Sequence, residues 1–145
     1  MEPEKPIVPE DPTGPLNCTI MTYNVRYWNG ENDTANFGYF SWPLRKNEVF
    51  EMIRKHNPDV LGLQEVTNYM YQDIMNAFPT YTYLGVGRNT GTEYRNVINE
   101  EQAVILYKTD KFECIRDGYF FLSETPDQVS SLPGSQFNRL VVWAC

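Results

Sequence analysis

The sequence predicts an α/β fold with a mixed sheet and flanking helices, on three observations. The run Asp59-Val60-Leu61-Gly62-Leu63-Gln64-Glu65 is short, apolar and set off by Asn57-Pro58, as a buried strand is. A helical stripe over residues 42–56 separates it from an earlier strand-like run at 18–25, giving the order strand, helix, strand. Two later strand-like runs, 102–107 and 112–122, flank the turn Lys108-Thr109-Asp110-Lys111 and read as a hairpin.

Residues 1–16 hold five of the ten prolines, with acidic residues between them. That composition predicts a solvated, extended tail ahead of a domain over 17–145. Two origins fit the tail. As the spacer behind an export signal or lipid anchor it places the protein outside the cytoplasm or in the cell envelope; a cytosolic arm has the same composition.

Residues 18–25 alternate as a strand, and Asn24 and Arg26 share one face by the two-residue period. The stretch 27–41 is a long polar and aromatic loop with Asn29, Gly30, Asn32, Asp33, Asn36 and Gly38. Loops longer than about 12–15 residues are uncommon in compact domains and are often functional, although a plain surface excursion fits too. Trp42-Pro43 opens a helix, because proline in the first turn loses no hydrogen bond. Val49, Met52, Ile53 and His56 fall on its apolar side, with Arg45, Lys46, Glu48 and Glu51 in water, and Asn57-Pro58 stops it.

A strand–helix–strand crossover is right-handed and makes its strands parallel, so their carboxyl ends share an edge. That edge carries Asn24 and Glu65, where ligands of open α/β sheets bind. Thr67 is placed to cap a second helix with Met70, Ile74, Ala77 and Phe78 inward and Pro79 as its stop. Residues 81–85 read as a strand, followed by a loop at 86–99 that carries Arg88 and Arg95, and residues 139–145 as a last strand. The chain stops inside that apolar strand, which predicts a fragment.

The 145 residues are 41% hydrophobic, which suits one domain with a real core. A net charge of −7 repels polyanions and argues against a nucleic-acid-coating role. Cys18, Cys114 and Cys145 lack a CxxC spacing, which argues against a disulfide framework or zinc site; Cys18 and Cys114 are expected as small buried hydrophobes. The single histidine, His56, falls at a helix end, facing the dipole. No apolar run reaches the roughly 18 residues of a membrane span.

Glu65 is the candidate for chemistry. An ionised glutamate desolvated alone costs roughly 3–5 kcal/mol, so it meets solvent, a cation or a base. Glu65 with the Asn24 carbonyl forms the hard-oxygen pair that Mg²⁺ accepts while retaining waters. A turn asparagine and a solvent-facing glutamate explain the same two residues.

Three segments, Thr22-Tyr23-Asn24-Val25-Arg26, Trp42-Pro43-Leu44-Arg45-Lys46 and Pro58-Asp59-Val60-Leu61-Gly62-Leu63-Gln64-Glu65, together resemble the endonuclease/exonuclease/phosphatase (DNase I-like) superfamily. Val86-Gly87-Arg88, Ala103-Val104-Ile105-Leu106-Tyr107-Lys108 and Phe121-Leu122-Ser123-Glu124-Thr125-Pro126 are similar to its bacterial, often exported, members. The resemblance runs from about residue 17 to the end and implies the N-terminal half of a four-layer α/β/β/α sandwich.

It implies Glu65 as main carboxylate ligand of Mg²⁺ or Mn²⁺, Asn24 as polar partner at that catalytic centre, and Arg88, Glu101 and Arg26 around the phosphate. A solvated Glu100-Glu101 pair and a surface arginine are the bland readings of those positions. The parent is expected to be a metal-dependent phosphoesterase hydrolysing a phosphomonoester or phosphodiester; the acidic charge favours a small phosphorylated substrate over nucleic acid. The family's later Thr-His-like, Gly-Asp-Xaa-Asn and Asp-His motifs do not occur here. The chain alone is therefore expected to be inactive, to lack one of the two sheets, and to self-associate through an open strand edge. A non-catalytic interaction module is the alternative.

Overall fold

The computed structural model describes residues 17–30, 40–92 and 100–145. The proline-rich tail, Asn32, Asp33, Asn36 and Gly38 of the long loop, and Arg95 lie outside the described residues. In chain order come β1 (Ile20–Asn24), α1 (Trp42–His56), β2 (Val60–Val66), α2 (Asn68–Ala77), β3 (Tyr81–Gly87), β4 (Gln102–Lys108), β5 (Asp117–Phe121) and β6 (Leu140–Ala144).

Strands β1 and β2 are parallel, as the crossover requires, with Ile20 opposite Val60 and Asn24 opposite Gln64. Strand β4 runs antiparallel between β2 and β3, so the sheet order is β1-β2-β4-β3 and the sheet is mixed. Alternate residues bury one face: Leu61, Leu106 and Tyr83 lie in one row across three strands. Against that face pack Val49, Phe50 and Ile53 of α1 and Met70 and Ile74 of α2. Edge-to-face contacts run from Trp42 to Phe50 (5.6 Å), Phe50 to Phe78 (5.5 Å) and Phe78 to Tyr81 (5.9 Å), tying both helix ends to β3.

The stripe of α1 differs from the periodic expectation. Met52 and His56 face solvent and Phe50 takes the buried place, because its ring closes that aromatic chain. Arg54, Lys55 and His56 occupy the last turn, where the helix dipole favours cations, and Asn57 closes it at φ 44°. Thr67 occupies the cap position of α2, but its hydroxyl donates to the Trp28 carbonyl (2.7 Å) instead of capping. Cys18 and Cys114 are half-buried thiols rather than core residues.

The predicted hairpin between residues 102–107 and 112–122 does not form. Both edges of β4 are already paired, with β2 and β3, which leaves β5 no partner there. Strand β5 shortens to Asp117–Phe121 and pairs antiparallel with β6. These two strands begin a second sheet, so the expectation that one sheet would be missing is corrected. Strand β6 lies against β4 on the face away from the helices, where Val60 and Tyr107 share a cavity with Ala144 and Cys145. The layers are thus helices, sheet and sheet.

At the amino end of the parallel strands, Asp59 fastens three segments. Its carboxylate accepts from the Thr19 N–H (3.0 Å), Lys108 Nζ (2.9 Å) and Lys111 Nζ (2.7 Å).

Candidate functional site

At the opposite edge, the carboxyl ends of β1 and β2 bring Asn24 and Glu65 together. Leu63 pairs with Val104 but Val66 pairs with Gln102, so Gln64 and Glu65 together oppose Ala103 in a bulge. Glu65 sits in that bulge at φ 64°, a left-handed conformation that costs a non-glycine residue about 1–2 kcal/mol. The distortion turns its carboxylate toward the end of β1. Its Oε1 accepts from Asn24 Nδ2 (2.9 Å) and its Oε2 from the Tyr27 N–H (2.7 Å).

Asn24 in turn accepts the Arg26 N–H at Oδ1 (2.8 Å). Arg26 has φ 57°, which breaks the strand period, so Asn24 and Arg26 do not share a face as expected. The Arg26 side chain bends over the Tyr27 carbonyl (Nη1 to O, 2.8 Å) and lies on a neighbouring groove with Arg45 and Glu48. Arg45, expected in water, is half-buried. It donates to the carbonyls of Phe40 (2.7 Å), Val25 and Arg26 (2.6 Å), holding the chain beyond β1 where Tyr27 meets Glu65.

Arg88, at the end of β3, and Glu101, just before β4, form an ion pair (2.6 Å) reinforced by the Arg88 N–H on the Glu101 carbonyl (3.0 Å). The neighbouring Glu100 is buried, not solvated, and accepts from the Asn89 N–H, the Thr90 N–H (3.2 Å) and the Thr90 hydroxyl (2.5 Å). A cleft of about 270 Å³ is lined by Asn24, Glu65, Arg88, Glu101, Gln102 and Arg139, among others. Four of the five sequence-predicted site residues therefore meet in one cleft, and the fifth, Arg26, reaches Glu65 through its charge alone.

Burial pushes the Glu65 carboxyl upward, but the bonds from Asn24 and Tyr27 and the charges of Arg26 and Arg88 outweigh it. Glu65 is held below the usual glutamate range and is anionic at neutral pH. Glu101 goes the other way: burial raises its carboxyl and Arg88 offsets this in part, while the Glu65 charge adds to the rise. Sequence reasoning missed Arg139, Phe137 and Gln102. Gln102 gives no signal but a polar residue at the start of an apolar strand, and Arg139 and Phe137 only enter through β6.

A single model of the endonuclease/exonuclease/phosphatase family matches residues 21–139. The chain belongs to that family. Its members are generally dependent on divalent metal and act as phosphoesterases. A family protein of Bacteroides thetaiotaomicron is 35% identical with a TM-score of 0.76, over 88% of this chain and 42% of that one. A mannosyl-6-phosphatase of the same organism is also 35% identical with a TM-score of 0.76, over 88% and 45%. A Bacteroides vulgatus member is 30% identical with a TM-score of 0.74, over 88% and 45%. The exoribonuclease subunit Ccr4 of the CCR4-Not complex of Emericella nidulans is 24% identical, over 69% of this chain and 16% of that protein. The chain thus spans less than half of each of these proteins, and it forms the N-terminal half of the family's sandwich.

Glu65 and Asn24 are the oxygen-bearing side chains of the cleft that could hold a metal. Among the described residues no three His, Cys, Asp or Glu side chains converge on one point. An ionised carboxylate in an open cleft, with the Asn24 amide oxygen at the same strand edge, fits an oxygen-seeking cation that keeps several waters. No helix among the described residues is long and apolar enough to cross a membrane.

Proposed function

We propose that this chain supplies part of the active site of a divalent-metal-dependent phosphoesterase that hydrolyses a small phosphorylated substrate. The observation that carries it is the Glu65 carboxylate, kept ionised in a strained bulge by Asn24 and Tyr27, with Arg88 lining the same cleft. A half-buried anion so placed is a ligand for a cation, and Arg88 is a ligand for phosphate oxygens. Glu65 and Asn24 would hold Mg²⁺ or Mn²⁺, which supplies charge stabilisation at the phosphoryl group when bound.

The chain's own residues then orient and select. Asn24 fixes the rotamer of Glu65, Arg88 binds a non-bridging phosphate oxygen, and Glu101 holds the Arg88 guanidinium in place. Likeness to the mannosyl-6-phosphatase and the net charge of −7 both support a phosphomonoester such as a sugar phosphate over nucleic acid. The test is phosphate release from a panel of sugar phosphates, nucleotides and phosphodiesters, by the protein that contains this chain, with Mg²⁺ and with Mn²⁺. Release abolished by Glu65→Gln supports the reading, and a folded protein silent on the whole panel overturns it.

A second reading is favoured by the outer face of β5 and β6. Phe120 and Trp143, 37% and 39% exposed, project there, and in this reading the chain is a non-catalytic, truncated or degenerate domain that acts as an interaction module through this face and its open strand edge.

A further inference from the structure

The cavity between the two sheets carries two thiols. Cys114 and Cys145 both line it, together with Val60, Tyr107 and Phe112, and its volume is about 170 Å³. The two cysteines stand far apart in the chain, one on the segment that leads from β4 to β5 and the other directly after β6. The fold brings them onto one atom: the Arg116 carbonyl accepts both the Cys145 N–H (2.7 Å) and the Cys114 thiol (3.4 Å). The Cys145 carbonyl in turn accepts the Ile115 N–H (2.8 Å), so the residue next to Cys114 is bonded to Cys145 itself. Cys18, the third thiol, lines a different groove beside Asp59 and Lys111.

We propose that Cys114 and Cys145 are a thiol pair that closes to a disulfide, with a low-molecular-weight disulfide as oxidant, and so staples the end of β6 to the segment entering β5. A CxxC spacing is not needed, because the pairing of β5 with β6 supplies the closeness that a disulfide requires. The cavity beside both residues gives the sulfurs room to turn toward each other without displacing the core. Among the described residues no three His, Cys, Asp or Glu side chains converge to hold a metal, which leaves the pair to redox chemistry.

The exchange takes two steps. One protein thiolate attacks the donor disulfide, which breaks its S–S bond, forms a mixed disulfide and expels one donor thiolate. The second protein thiolate attacks the protein sulfur of that mixed disulfide and expels the other donor thiolate. Two protein thiols are oxidised, one donor disulfide is reduced to two thiols, and the two protons pass to the departing donor thiolates. The new bond closes a loop of about 30 residues, long enough to remove much freedom from the unfolded chain. Strand β6 runs from Leu140 on the cleft wall to the cysteine end, so the staple lies away from the cleft. Burial, then the Asp117 charge, push the Cys114 thiol up, and bonds from the Arg116 and Cys145 backbone offset this in part.

The experiment treats the folded protein that contains this chain with oxidised glutathione at about pH 8.5, where more of each thiol is ionised. Remaining thiols are then alkylated and the protein is digested with trypsin. Cleavage after Lys111, Arg116 and Arg139 puts Cys114 in the peptide 112–116 and Cys145 in the peptide that begins at Leu140. Expected is a species in which these two peptides are joined, lost on reduction, and a melting temperature about 5–10 °C higher in the oxidised protein. Cys114→Ser and Cys145→Ser each remove the joined species and the oxidant-dependent rise, and Cys18→Ser keeps both. Glutathione adducts on Cys114 or Cys145 without the joined peptides overturn the proposal, as does a link that forms only after urea has unfolded the chain, or one that runs to Cys18 instead. Joined peptides with an unchanged melting temperature overturn the stapling.

Discussion

The Glu65 carboxylate accepts the Asn24 amide at 2.9 Å across 41 residues of sequence, and that bond joins the ends of two parallel strands. Glu65→Gln keeps nearly the same shape but removes the negative charge. Expected is loss of Mg²⁺ binding, read by titration calorimetry, with a lower melting temperature as well, because the new amide nitrogen faces the N–H of either Asn24 or Tyr27. Asn24→Ala instead leaves one Glu65 oxygen without its donor and is expected to cost about 1–3 kcal/mol of stability. Unchanged Mg²⁺ affinity in Glu65→Gln would remove Glu65 from the site.

Arg45 reaches three carbonyls from one side chain, those of Phe40, Val25 and Arg26. Bonds from a charged donor are worth about 1.5–3 kcal/mol each and are not additive here, so Arg45→Met is expected to cost about 2–4 kcal/mol. Lysine has no planar fork and rescues little. Urea denaturation measures both; a lysine variant as stable as the parent would show that charge alone holds the strand end.

Much of this was readable in the sequence because it follows from local rules. The Asn57-Pro58 stop, the Trp42-Pro43 start and the apolar run 60–63 set a crossover, and the crossover alone brings Asn24 to Glu65. The bulge at Glu65 was not readable: it depends on the register with β4, which no spacing encodes. The β5–β6 pairing was hidden for a related reason. A short turn such as 108–111 suggests a hairpin only while β4 has a free edge, and β3 had taken it. Arg45 looked like a wet helix residue because its partners are backbone carbonyls, which carry no side-chain signature.

Asp59 gives the clearest pH dependence. Lys111 foremost, then the Thr19 N–H and Lys108, hold its carboxyl well below the usual aspartate range of 3.8. A depressed folded value means stability present above the unfolded value and lost as pH falls from there toward the folded one. Lys111 carries the reciprocal rise, a contribution present below its ordinary 10.5 and lost above it. Asp59→Asn is therefore expected to lower stability at neutral pH and to flatten the acid limb below about pH 4. Acid-unfolding curves of equal steepness for both proteins would assign that limb to other carboxylates.

Phe120 and Trp143 lie on the same face of the two-stranded sheet, opposite the face that buries Phe121. Trp143 spreads across Gly118, where a methyl group would come within 2.7 Å of its ring, so the indole is fixed flat on the strand rather than free to turn away. Two fixed, adjacent aromatic surfaces make a patch whose burial is favourable at about 25 cal/mol per Å². The isolated 145-residue chain is expected to associate with rising concentration in sedimentation, and Phe120→Ser to shift it toward monomer. Gly118→Ala should also loosen association, by lifting the indole, while lowering stability by about 1–3 kcal/mol. A chain that sediments as a monomer at every concentration, with Phe120→Ser indistinguishable from it, would mean that this face is not a pairing surface.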